Sequence, residues 1–219
     1  MLEPRIQQHL DTLIKRYPVL DVCKEDIEKA YLILEECYTS DHKLLIAGNG
    51  GSAADAEHIA GELMKRFKMP RPVPTDFKDK LISIDKVRGE ELSRNLERGL
   101  MAIPLVAHEA LTTAYINDVD ALGVFAQQLY GFGRPGDVFL GISTSGNSKN
   151  IMSAVIVAKA LGIKVIGLTG KSGGELAEVS DVTIKVPESE TYMIQELHLP
   201  VYHCLCMMLE DRFFSIVEE

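Results

Sequence analysis

The sequence predicts an α/β fold, a doubly wound five-stranded parallel sheet preceded by N-terminal helices. Apolar runs of strand length recur at Lys43 to Ala47, Ile103 to Ala107, Asp137 to Ile142, Lys164 to Leu168 and Asp181 to Val186. Helical segments stand between most of them, and alternating βα units imply a parallel sheet covered on both faces. With 219 residues, 46% of them hydrophobic, the chain can bury one substantial core, so a single domain spanning 1–219 is expected.

In chain order, two helical stretches come first, Pro4 to Arg16 and Lys24 to Thr39, split by Tyr17-Pro18. Their apolar positions, such as Ile27, Ala30, Leu32 and Leu34, exceed what a solvent-facing appendage needs. With the apolar last helix around Tyr202 to Phe213, they suggest that residues 1–40 form an oligomerisation segment.

The first strand runs into Gly48-Asn49-Gly50-Gly51-Ser52, followed by an Ala-rich helix from Ser52 to about Lys68. Free N–H groups and the dipole at a helix N-terminus favour an anion, and glycine lets the main chain approach it closely. On that helix His58 and Glu62 are four residues apart, which puts an imidazole and a carboxylate on one face, one turn apart. The spacing suits a divalent ion, although such pairs are also common on helix surfaces.

After the third strand, Ser143-Thr144-Ser145-Gly146-Asn147-Ser148 crowds four hydroxyls into six residues ahead of another helix. Such a loop can satisfy the outer oxygens of a phosphate monoester without a lysine. Open parallel sheets bind ligands at the carboxyl ends of their strands, where both loops fall. Gly170 to Gly174 reads as a plain βα turn.

On the last helix Gln195 and His203 lie eight residues apart, on nearly the same face and about 12 Å apart along the axis. Pro200 between them is expected to kink the helix. His198 falls about 140° around from His203 and is expected to pack or to face a partner.

A formal net charge of -9, with no basic run longer than Lys65-Arg66, argues against a nucleic-acid surface. Neither a leader segment nor an apolar run near 18 residues is evident, which points to a cytoplasmic protein that does not span a membrane. Cys23, Cys37, Cys204 and Cys206 lack a CxxC spacing and are expected as reduced, mostly buried thiols.

The chain resembles the sugar isomerase (SIS) domain family and, within it, the phosphoheptose isomerases. The resemblance runs from about Lys43 to Phe214. It rests on Gly48-Asn49-Gly50-Gly51-Ser52-Ala53-Ala54-Asp55, His58-Ile59-Ala60-Gly61-Glu62-Leu63, the Ser143 to Ser148 loop and Ile194-Gln195-Glu196-Leu197-His198. It implies a flavodoxin-like three-layer fold and interconversion of sedoheptulose 7-phosphate and an aldose heptose 7-phosphate. It further implies one zinc ion per subunit held by His58, Glu62, Gln195 and His203, with Glu62 and His203 as the acid/base pair. Substrate contacts would come from Asn49, Gly50, Gly51, Ser52, Glu62, Ser143, Thr144, Ser145, Ser148 and Gln195, in a homotetramer.

Two departures accompany the resemblance. Ala107-His108 stands where the family carries an acidic residue in the loop that contacts the sugar. The stretch 69–102 is longer than expected; Pro70, Pro72 and Pro74 open it, and Arg88 to Leu100 reads as a charged helix that serves as a lid, an oligomer contact or a spacer. Arg66 either reaches the substrate or lies in solvent. Two other functions stay open: a non-catalytic SIS module that binds a replication-initiator protein, and an isomerase of another phosphorylated sugar.

Overall fold

A computed structural model describes residues 2–215. Its sheet comprises β1 (Leu44–Ala47), β2 (Ala102–Pro104), β3 (Val138–Ile142), β4 (Lys164–Thr169) and β5 (Val182–Lys185), in the order β2-β1-β3-β4-β5, with every pair parallel. The predicted doubly wound sheet is present, with each strand close to its expected place. The second is the shortest, since Leu105–Ala107 turns into a 3-10 helix instead of extending the strand. Pro104 has no N–H to give a ladder, and it sits on the edge strand, where a proline is tolerated.

Side chains alternate across the sheet and feed two cores. Leu44, Ile46, Val138, Leu140, Ile142, Ile166, Leu168, Val182 and Ile184 face one core. There they meet α1 (Pro4–Arg16), α2 (Lys24–Thr39), α3 (Gly51–Met64) and α10 (Thr191–Phe214). Leu45, Ala47, Phe139 and Val165 face the other, under α7 (Val124–Phe132), α8 (Lys149–Ala160) and Leu176 of α9 (Gly174–Val179). Of the N-terminal positions expected to seek a partner, Ile27, Ala30 and Leu34 are buried in the chain's own core, and Leu32 alone is exposed. That surplus of apolar residues is therefore spent largely within the subunit.

Successive helices fall on opposite faces after β1 and after β3, so the winding reverses between these neighbouring strands. A crevice opens at their carboxyl ends. The loops 48–51 and 143–148 flank it.

The helix expected to run to Lys68 stops at Met64, with Lys65 extended. The Glu210 carboxylate takes the N–H groups of Phe67 and Lys68, at 2.8 Å each, and thereby holds the turn that leaves the helix. The insert folds as a helical hairpin, α4 (Thr75–Ile84) and α5 (Lys86–Asn95), where one helix from Arg88 to Leu100 was expected. Asp85 caps α5 through the Arg88 N–H, and Gly89 lets the helices touch, because a Cβ there would stand 2.3 Å from the Leu81 carbonyl oxygen. Helix α10 runs unbroken through Pro200. A short helix, α6 (Glu109–Asp118), links the 3-10 turn to α7.

Candidate active site

Helices α3 and α10 lie side by side and parallel, in a register that barely drifts. Gln195 meets Gly51, Tyr202 meets Asp55 and His58, His203 meets His58, and Glu210 meets Phe67. Each pair is separated by between 143 and 147 residues in sequence wherever a hydrogen bond joins it. The shared register brings Asp55, His58, Tyr202 and His203 together.

At the loop end is a pocket of about 370 Å³, lined by Asn49, Gly50, Gly51, Ser52, Ser143, Thr144, Ser148, Thr191 and Gln195, with Ile142 at its base. The N-termini of α3 and α8 both end at it, so backbone N–H groups and two helix dipoles favour an anion there. Ser143 and Ser148 hydroxyls lie 2.9 Å apart. Asn49 and Asn150 exchange a reciprocal pair of amide hydrogen bonds, 3.0 and 2.8 Å, which ties the two loops together. Ser145 is not part of this lining. Its hydroxyl accepts from the Asn147 N–H and faces an adjoining hollow with Lys171 and Glu188. A Cβ on Gly51 would sit 2.5 Å from Gln195 Nε2, so the glycine lets that amide lie close against the loop.

About two to three turns along α3 lies the second part. His58 Nε2 is 3.2 Å from Glu62 Oε1 and 3.4 Å from His203 Nε2. Tyr202 donates to Asp55 Oδ1 (3.1 Å), and its oxygen is 3.0 Å from His58 Nδ1. A phenol has one hydrogen; with Asp55 ionised that hydrogen is committed, so His58 Nδ1 carries the proton that meets the Tyr202 oxygen. His58 Nε2 is then a bare lone pair aimed at a carboxylate, an arrangement that a cation placed between them would relieve.

The separations suit such an ion. Tetrahedral zinc ligands bound at about 2.0–2.1 Å stand roughly 3.3 Å apart. Two N and O donors of the right chemistry flank His58, and the Asp55–Tyr202 pair is the outer shell that orients a ligating histidine. Among the described residues no group of three or more His, Cys, Asp or Glu side chains stands placed to hold a metal ion; the two edges meeting at His58 Nε2 carry the fit. Gln195 does not join them, since its amide lies at the Gly51 end and lines the pocket.

Burial, followed by the neighbouring His58, holds the His203 imidazole below its ordinary value, so it stays neutral at neutral pH. Burial raises the Asp55 carboxyl, against the pull of Tyr202 and His58. Glu62 is mostly covered and His58 less so, their side chains 14% and 41% exposed. Arg66 does not turn toward the site; its guanidinium and N–H both bind Glu97. His108 Nδ1 is 2.9 Å from the Gln128 side-chain oxygen. His198 is fully buried.

The sequence reading missed Asp55, Tyr202 and Asn150. Asp55 stands three residues before His58 on the same helix face, a signal available in advance. Tyr202 and Asn150 become visible only once the register of α10 and the closeness of the two loops are known.

The chain matches the family described as the SIS domain over residues 17–78 and 93–170. A phosphoheptose isomerase of Geotalea daltonii is 42% identical over 183 residues, covering 84% of this chain and 82% of that one. The chain belongs to the phosphoheptose isomerase family. Among solved structures, a phosphoheptose isomerase from Neisseria gonorrhoeae superposes with a TM-score of 0.72 at 32% identity, over 96% of this chain and 100% of that chain. One from Francisella tularensis gives 0.74 at 29% identity, over 94% and 97%. The family match breaks between residues 78 and 93, within the helical hairpin. The two solved phosphoheptose isomerases therefore share this chain's overall fold, while the family pattern passes over that part of the hairpin.

Proposed function

We propose that this protein interconverts sedoheptulose 7-phosphate and the corresponding aldose heptose 7-phosphate through an enediol. The observation that carries the reading is the His58, Glu62 and His203 cluster, set on α3 and α10 about two to three turns beyond an anion pocket. A phosphate held by Ser143, Thr144, Ser148 and the α3 and α8 N-termini leaves the sugar to extend along those helices toward the cluster. Asn49, Gly50, Gly51, Ser52 and Gln195 flank it.

Aldose–ketose exchange moves a proton between C1 and C2 and manages protons on two oxygens. Glu62, mostly covered and within reach of the sugar chain, serves as the base for the carbon-bound proton. His203, kept neutral by burial, exchanges a proton with the oxygens. Asp55 and Tyr202 fix the tautomer and direction of His58. We assign zinc to His58, Glu62 and His203, while Gln195 stays with the pocket lining; when bound the ion would polarise the substrate carbonyl. Three ligands and an open position are characteristic of a catalytic zinc site.

We also place the protein in the cytoplasm as a homotetramer. Four buried free thiols support a reducing compartment, and no helix among the described residues is long and apolar enough to cross a membrane. Light scattering should give a mass near four times 24.2 kDa; a monomer would contradict the assembly.

The test is a panel of C5 to C7 ketose phosphates, incubated with the purified protein with and without added zinc and scored for aldose. The heptose should be the preferred substrate and zinc should raise the rate. Preference for a shorter sugar would redirect the reading to that sugar, which the absence of an acidic residue at Ala107-His108 makes the relevant contrast. No product from any member would sink it.

A further inference from the structure

Arg71 and Glu210 are each 1% exposed, and neither lines the anion pocket. Their bonds end on α3 and on the turn that leaves it. Arg71 donates to the carbonyl oxygens of Leu63 (2.7 Å) and of Glu62 itself (3.1 Å), and its Nε reaches Glu210 at 3.0 Å. Glu210, two turns beyond His203 on α10, accepts in addition from the Phe67 and Lys68 N–H groups. The ring of Phe67, fixed in this way, packs on His203 with centroids 5.3 Å apart. Phe214 closes the other side, 4.4 Å from the guanidinium.

We propose that Arg71 and Glu210 form a positioning pair for the reaction, resting on the isomerase reading above. The pair locks the C-terminal turn of α3 against α10. Glu62 is held through its own carbonyl and His203 through Phe67, so one buried ion pair sets the approach of both. Stability alone is a poor reason for such burial, because apolar replacements of buried ion pairs are often neutral or stabilising. What the arginine adds is a rigid fork that satisfies a carboxylate and two carbonyls at once, which a lysine cannot reproduce.

Arg71→Lys keeps the charge and loses the fork. In a variant whose thermal melt shows it folded, kcat for sedoheptulose 7-phosphate should fall at least tenfold with KM within about threefold, since misplacement of reacting groups by about 1 Å costs up to 10²-fold. Zinc affinity, read by chelator competition, should fall about 10- to 100-fold, as for other outer-shell changes. Unchanged kcat and zinc affinity would overturn the proposal. Glu210→Gln, which keeps one acceptor oxygen, carries the same expectations if Arg71→Lys does not fold; failure of both to fold would make the pair structural and also overturn it. Should the wild type turn over no ketose phosphate, the isomerase reading has failed and zinc affinity decides the positioning role by itself. Absence of zinc binding in the wild type would overturn that role too.

Discussion

His58 shows how one side chain depends on partners far away in sequence. Its Nε2 can act as a donor to a metal only if Nδ1 keeps the proton, and Tyr202 with Asp55 enforces this. Tyr202→Phe removes the acceptor for Nδ1–H while leaving the ring in place, so in a variant whose thermal melt shows it folded zinc affinity should drop about 10- to 100-fold. Chelator competition reads it, and wild-type affinity in the variant would refute the relay. The His58–Glu62 pair was legible in the sequence, because i, i+4 spacing on a helix fixes a shared face. The reach of His203 to it was not, since helix periodicity says nothing about which helix lies alongside. The same gap left Gln195 to be found against Gly51 rather than beside His58.

Among the elements, the insert departs most from its expected form. It makes a hairpin in which Gly89 alone is buried, while Phe77, Ile84, Val87 and Leu92 are exposed. Its base is closed by the Pro72–Glu97 bridge and by the Arg98 N–H to the Arg71 carbonyl. Replacing residues 74–95 by a short Gly-Ser linker should therefore leave the fold intact, with the melting temperature lowered by no more than about 4 °C, because little core is lost. A collapse of the melting transition would show that the hairpin supports the domain. Composition hid the first of these helices: three prolines precede it, and its apolar positions belong to no large core. Strand β2 was overestimated for a similar reason, since Ile103 to Ala107 is apolar throughout and only Pro104 marks where the ladder ends.

For the molecule as a whole, most of the architecture could be read in advance because apolar runs alternating with helices leave few topologies. What could not be read was where each buried polar group would find a partner. His198 finds none for either ring nitrogen among the described residues, and burial pushes its imidazole down from 6.5 to about 4. The unfolded chain takes up this proton near pH 6.5, the folded chain only near 4. Stability from this source is intact above the upper value and declines as the pH falls through the window, by about 2 kcal/mol at pH 5. His198→Leu should remove that decline, so its urea midpoint should shift less between pH 7 and pH 5 than that of the wild type. Equal shifts would refute the assignment.

The proposed function rests on Glu62 as the group that moves the carbon-bound proton. The direct test compares turnover of sedoheptulose 7-phosphate by zinc-loaded wild type and by Glu62→Gln, alongside substrate binding measured by calorimetry. Wild type should yield the aldose, and the variant should be slower by about 10²- to 10⁴-fold while still binding the phosphate ester. Near-normal turnover in the variant, or none in the wild type, would contradict it.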